Sequence, residues 1–447
     1  MSSDLINIAL SGIKAAQAGL DVTSQNISNA STTGYVRRTI DQTDLTGIDT
    51  NGAYGDLSLS GVVVTSINRN VDAFQQAEVR RTNADAARAD ALVTGLTNVN
   101  DAIDQSGVYS SITSFQSALT TLASNPTSSS QRANVLEAAK TMAQSFNLAS
   151  TSLASAISGQ QFDANSDVSQ INTLAQGLAQ LNQKISADTD PATDNATLFD
   201  QRDQILQKLS NYTDISTTIA KNGTVSVTMG GSNGTALVAG GTANTLSATT
   251  ASDGTNISFA LNGATITVAG GSLAAEQQTL SAAATDKTAL DAVASQMMTA
   301  VNTAQTGGAD VNGTAGTALF TGTGAGDMAV ALTSGDQIVT AASGSAASSQ
   351  DTTQLSSLRS ALSASNGPAA AMNQLLFTTS AAVSGATTTQ TALDAIATNA
   401  ASQLSSAAGV NLNTEAANLV QYQQAFQASG KVIQAAQTIF EQLLNIS

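Results

Sequence analysis

Asp200 and Asp203 stand three residues apart in TLFDQRDQILQKLS, with Arg202 between them. On a helix that spacing puts two carboxylates on one face, as a general acid and base would require. A charged face flanking an apolar stripe has the same spacing and is far commoner, and Leu198, Ile205, Leu206 and Leu209 supply such a stripe. Asp310, Asn312 and Gly313 resemble the opening of a calcium loop, but the full run of acidic ligands and the closing glutamate are missing. Glycine pairs at 230–231, 240–241 and 270–271 lack the context of a phosphate-cradling loop and are expected to be turns. The chain has no histidine and no cysteine. With them go the usual general base, the commonest zinc ligand, the Ser-His-Asp triad and thiolate chemistry. No catalytic residue, metal ligand or cofactor site is predicted.

The elements that position these residues are mostly helical, and the two ends of the chain stand out. In the last stretch, Leu412, Leu419, Phe426, Ile433 and Phe440 recur every seventh position. Tyr422, Ala436 and Leu443, three places after such positions, widen the stripe, with Ser429 the polar exception. At the start, Ile6, Ile13, Leu20 and Ile27 repeat the same spacing, with Ala9, Ala16, Thr23 and Ala30 three places after each. A seven-residue repeat makes a narrow seam suited to a partner helix wound around it. Small residues in the first stripe, with Gly12 and Gly19, allow close approach. The termini are therefore expected to pair, with Phe426 set against N-terminal alanine and glycine, and the rest of the chain an excursion between them.

Composition narrows the function classes. A chain of 447 residues can hold two to four domains, and its charged fraction of 11% is less than half the usual share. Aromatic residues make up 3%, which favours many thin helical contacts over one thick aromatic core. A formal charge of −16 argues against a nucleic-acid partner, since phosphate binding needs a basic face. Seven of the 16 basic residues lie in the first 90, Arg37, Arg38, Arg80 and Arg81 among them, and are expected to be inter-subunit or solvated charges. No apolar run reaches the length of a membrane span, so no membrane partner is expected. The opening MSSDLINIALSG lacks the basic and apolar regions of a cleavable secretory signal.

The pattern between the ends changes twice. Asn29 to Gly34 should end the first helix, and residues 35–70, with Val62, Val63, Val64 and Ile67 punctuated by Gly47, Gly52, Gly55 and Gly61, look extended. Residues 72–210 suggest five helices: 72–105, 108–123, 131–157, one carrying Val168 to Ile185 and ended by Asp190-Pro191, and one over Leu198–Leu209. From Thr213 the period becomes two, with Asn222-Gly223 and Asn262-Gly263 between alternating runs, the signal of hairpins. Helix resumes over 273–305, a Gly/Ser/Thr/Ala-rich loop or loosely packed cover follows over 307–350, and helices return from Gln354 and from Ala369 to Ala408. The fold class is α+β, mainly α: paired terminal coiled-coil helices, a helical-bundle middle and a small inserted antiparallel β domain. The expected domains are 1–50 with 405–447, 51–212 with 272–404, and 213–271.

ALSGIKAAQAGLDVTSQNISNASTTGYVRR resembles the N-terminal signature of the bacterial flagellar axial proteins, and the last stretch resembles their C-terminal helix. TLFDQRDQILQKLS, ALVAGGTA, AVNTAQTGGADVNGTAGTALF and EAANLVQYQQAFQASGKVIQAA are similar to the hook-associated members that join hook to filament. The resemblance implies a structural, non-enzymatic subunit, exported unfolded through the flagellar type III channel to the extracellular flagellum. It also implies a ring of copies within a tubular polymer, packed through Ile6, Ile13, Leu20, Ile27, Leu412, Leu419, Phe426, Ile433 and Phe440. The implied partners are further copies, hook protein, the second hook–filament junction protein, and the export chaperone and apparatus. A hook protein, the second junction protein or a flagellin would share the terminal pattern and remains the alternative. A secreted enzyme has no converging acid–base or metal constellation to support it.

Overall fold

Helix α1 (Ser2–Ser28) ends where Asn29 to Thr32 turn the chain, and a hairpin of β1 (Arg38–Gly47) and β2 (Ser58–Arg69) follows. The structure is a computed structural model and describes residues 2–32, 34–47, 58–187, 195–231, 234–251 and 254–444. Gly52, Gly55 and the Asp190-Pro191 breaker lie outside the described residues. The hairpin is antiparallel with two register shifts, and it lies on α1, where Ser11 Oγ accepts from the Val62 amide at 3.1 Å.

Four helices build the next part of the body. α2 (Ala73–Asp104) is capped by Asp72, whose carboxylate accepts from the amides of Phe74 and Gln75 at 2.9 and 3.1 Å. α3 (Val108–Ser124) stops before Asn125-Pro126, as the sequence suggests. Beyond it one helix, α4 (Ser129–Ala187), runs 59 residues where the periodicity suggested two. The spacer contains Gly159 but no proline. An interior glycine costs only about 1 kcal/mol, too little to break a helix whose two halves are held by the same core through Phe146, Leu153, Ile171 and Leu178. α5 (Ala196–Tyr212) then leads into the β insertion.

The insertion is two meanders. β3 (Ile215–Ile219), β4 (Val225–Met229), β5 (Thr235–Ala239) and β6 (Thr242–Ala243) form one antiparallel sheet in chain order. β7 (Leu246–Thr250), β8 (Ile257–Leu261) and β9 (Ala264–Ile266) form the second. Asn262 and Gly263 both take left-handed φ angles, 49° and 82°, as a two-residue hairpin turn requires. Inward residues of both sheets, Val227, Met229, Phe259 and Leu261 among them, join one buried cluster with the helices.

α6 (Gly271–Thr306) returns through the body, packed on α2 and α4. Short strand pairs follow: β10 (Gly308–Ala309) with β13 (Ala341–Ala342), and β11 (Phe320–Thr321) with β12 (Ala329–Val330). This cover, expected as loosely packed, is pinned to α4 by Arg132. That fully buried guanidinium donates to the carbonyls of Pro126 and Ile338 and to Thr340 Oγ1. Phe320 meets Phe115 of α3 edge-on at 6.3 Å. α7 (Thr353–Leu362), α8 (Pro368–Ala408), packed along α2, and α9 (Leu412–Leu444) complete the chain.

Candidate functional site: the paired termini and their clasp

α1 and α9 pair antiparallel. Gly12 lies against Ser429, Gly19 against Tyr422, and Asn26 against Glu415, one heptad forward in α1 for each heptad back in α9. The approach is close enough that a Cβ on Gly19 would come within 2.6 Å of the Tyr422 ring. On α1 the buried face is Ala9, Ala15, Ala16, Val22, Thr23 and Asn26, while Ile6, Ile13, Leu20, Ile27 and Ala30 are half-buried. On α9, Glu415 and Ala436 are buried, and Tyr422, Ser429, Leu419 and Ile433 are half-buried. Leu412, Phe426 and Phe440 remain 54%, 40% and 53% exposed.

The termini therefore meet through the row three residues on from the bulky heptad, and Phe426 is not set against N-terminal alanine and glycine. Gly12 and Gly19 make room for Ser429 and the Tyr422 ring, so that row of α9 faces α1 and Phe426 is turned away from it. The side chain of Leu443 lies outside the described residues. With Val420, Val432 and Ile439 also exposed, α9 carries an apolar surface that α1 does not cover.

At its inner end the pair is fastened to the body by a buried charge network. Glu415, 1% exposed, accepts from Arg37 Nε at 2.6 Å and from Asn26 Nδ2 at 3.1 Å. Asn26 also donates to the Arg38 carbonyl at 2.9 Å and accepts from the Arg38 amide at 3.0 Å. The Arg38 guanidinium reaches Gln25 Oε1, Thr197 Oγ1 and Asp200 Oδ2 at 3.0, 3.1 and 3.2 Å. Arg69, at the end of β2, bridges Asp200 Oδ1 and Asp203 Oδ2, each at 2.7 Å. Arg202 holds Asp203 Oδ1 at 2.8 Å and donates to the Gly223 carbonyl at 2.6 Å.

Asp200 and Asp203 do share a helical face, but neither a solvated surface nor a catalytic cleft. They are the anionic core of a clasp joining α1, the hairpin, α5 and α9. Burial pushes the Asp200 carboxyl up against the pull of Arg69 and Arg38. Burial acts on Asp203 too, but there Arg202 and Arg69 prevail and hold the carboxyl below its ordinary range. The early arginines are likewise not all solvated: Arg38 and Arg80 are buried within the chain. Arg81 is exposed, paired with Glu78 and Asp85.

The network gathers three separated stretches, YVRR, TLFDQRD and EAANLV, at one point. The profile described as the helical domain of flagellar hook-associated protein FlgK matches residues 93–320, just over half of the chain. The chain belongs to the FlgK family. Two further profiles fall on the FlgK-family chain's ends. Residues 6–35 match the flagella basal body rod protein family, and 401–446 match the C-terminal family of the basal body rod FlgEFG proteins.

Curated relatives include "Flagellar hook-associated protein 1" of Salmonella typhimurium and of Escherichia coli, each 30% identical over 250 residues, or 55% of this chain. The protein of the same name from Bacillus subtilis is 30% identical over 226 residues, 49% of this chain. The matched stretches cover 44% of the S. typhimurium and B. subtilis relatives and 45% of the E. coli one, so the likeness spans less than half of their length. The flagellar hook junction protein FlgK of Burkholderia pseudomallei aligns at 23% identity with a TM-score of 0.49, over 55% of this chain and 46% of that one.

Elsewhere in this FlgK-family chain the sequence's chemical candidates resolve into structure. The Asp310 carboxylate accepts from the amides of Asn312 and Thr314 at 2.9 and 2.8 Å, an Asx turn with Gly313 in the left-handed region. Among the described residues no group of three His, Cys, Asp or Glu is placed to hold a metal ion, and no helix is long and apolar enough to cross a membrane. Sequence reasoning missed Asn26, Arg69 and Glu415. Asn26 and Glu415 were signalled only by membership in the stretches that carry the family resemblance and Arg69 not at all, because partners 389 residues apart, as Asn26 and Glu415 are, have no local period.

Proposed function

We propose that this protein is a structural subunit of the bacterial flagellum, at the junction of hook and filament, and acts by assembly rather than catalysis. One observation carries the reading. After α1 and α9 pair, α9 still exposes Leu412, Phe426 and Phe440, with Val420, Val432 and Ile439, on a chain with a formal charge of −16. Exposed apolar patches of this kind mark protein–protein contacts.

In this reading the pair of 1–50 with 405–447 is the polymerising domain, 51–212 with 272–404 the helical body, and 213–271 an outward insertion. Leu412, Phe426 and Phe440, with the half-buried Ile6, Ile13, Leu20, Ile27, Leu419 and Ile433 at their flanks, pack between copies. The Arg38–Asp200–Arg69–Asp203 clasp sets the angle at which each body leaves the tube. Further copies, hook protein, the second junction protein, and the export chaperone and apparatus are the partners, and the extracellular flagellum is the location.

The test is complementation of a deletion strain. Loss of the protein should leave hooks intact and shed filament protein into the medium, and the wild-type chain should restore filaments. Phe426→Asp should fail to restore them while melting like the wild type. Filaments retained in the deletion strain would reject the junction role. Normal filaments with Phe426→Asp would remove the α9 row from the packing surface.

A further inference from the structure

Glu276, on the second turn of α6, is 4% exposed and lines one cleft with Asp163 and Asp167 of α4. The Ser272 hydroxyl, one turn earlier on α6, donates to Asp167 Oδ2. A carboxyl buried beside two others, with no donor of its own, is favoured in its protonated, uncharged form. Glu276 Oε2 has no hydrogen-bond partner within the chain.

The groups around Glu276 and Asp167 leave the pair without a counter-charge. They line a cleft of about 400 Å³ to which α4 contributes Gln160 and Asp163, α5 contributes Asn211 and Tyr212, and α2 only Ala91 and Thr94. No lysine or arginine is among the lining residues. Burial first, then the charges of Asp167 and Asp163, push the Glu276 carboxyl up to about 9. Burial also raises Asp167.

The pair sits at the neck of the β insertion. Gly271, with φ +73°, crosses the end of α5 so closely that a Cβ would come within 2.2 Å of the Thr213 amide nitrogen and the Tyr212 carbonyl carbon. Asp214 Oδ1 accepts from the Ala269 amide at 3.1 Å, so the chain enters and leaves the insertion at one point. Ser272, the first α6 residue beyond that crossing, bonds Asp167 of α4.

We propose that Glu276 and Asp167 form a proton-held latch that pins the start of α6 to α4 and so fixes the neck of the β insertion. Loss of the proton leaves two carboxylates and Asp163 facing one another with nothing positive between them, and the first turns of α6 release. The sign follows from the fold's preference for the protonated form. Folded chains hold this proton at pH values where unfolded chains have lost it. The contribution to stability is complete below the ordinary glutamate range and is lost as pH rises toward about 9.

The experiment uses the full-length monomer and so is independent of the assembly role. Melting temperature is followed from pH 5 to pH 10 for the wild type and for Glu276→Gln, whose amide carries no charge. The wild type should lose stability across this range relative to the variant, and the variant should be the more stable at pH 10. Amide exchange over residues 272–280, corrected for its intrinsic pH dependence, should quicken at the alkaline end in the wild type alone. A carbon-13 carboxyl titration of the wild type gives a readout that needs no variant, and Glu276 should titrate far above the ordinary range. Parallel melting curves, or a Glu276 signal titrating near 4.5 like a free glutamate, would overturn the latch.

Discussion

α4 and the α1–α9 pair are both long helical contacts, built from opposite materials. α4 buries Phe146, Leu153, Ile171 and Leu178 in a cluster shared with α3, α6 and both sheets of the insertion. The terminal pair buries alanines and polar residues: Ala9, Ala16, Thr23 and Asn26 against Ser429, Tyr422 and Glu415. Fully burying a large apolar side chain contributes roughly 1.5–3 kcal/mol, and a buried alanine much less. The body thus has its own core, whereas the terminal pair depends on close approach, on the clasp and on whatever covers α9. One part is finished within a single chain and the other leaves apolar side chains exposed, as the proposed assembly role requires.

The largest expected effect separates two phenylalanines. Phe146→Ala empties a fully buried site on α4 and should cost about 3–5 kcal/mol, seen as a lower urea midpoint of the whole chain. Phe426→Ala, at an exposed position, should shift the monomer by roughly 0.5 kcal/mol or less. Equal losses would erase the distinction between body and termini.

A smaller and local effect is expected at the clasp. Glu415→Ala leaves Arg37 and Asn26 without their shared carboxylate. Hydrogen bonds to charged groups are worth about 1.5–3 kcal/mol, so amides of α1 and α9 should exchange faster while those of α4 hold. Matching acceleration in α4 would mean that termini and body unfold as one unit.

The smallest effect sharpens the same boundary with acid. The fold lowers the Asp203 carboxyl, so its ion pairs contribute fully above the ordinary aspartate range and are lost as pH falls through the lower folded value. Exchange of the hairpin and α1 should rise at that acid edge before the α4 core responds, and Asp203→Asn should show fast exchange there at every pH. An acid transition that reaches α4 first would place the weak joint elsewhere.

The sequence by itself determined the elements whose cause is local. Asn-Gly hairpins, the Asn125-Pro126 stop and the heptads at both ends are visible because turn chemistry and periodicity act over a few residues. It also showed that the ends would pair, since two stripes with one spacing have few other uses. Only the tertiary structure decided which row of each stripe is buried. Gly12 and Gly19 receive Ser429 and Tyr422, and that depends on how far each helix is rotated toward the other, which no period encodes. The same holds for Asp200 and Asp203. Their spacing gave a shared face, but whether that face met water, substrate or Arg38 and Arg69 depended on residues more than 130 positions away, brought in by the fold. Gly159, too weak a breaker to divide α4, was overruled by the core on either side of it.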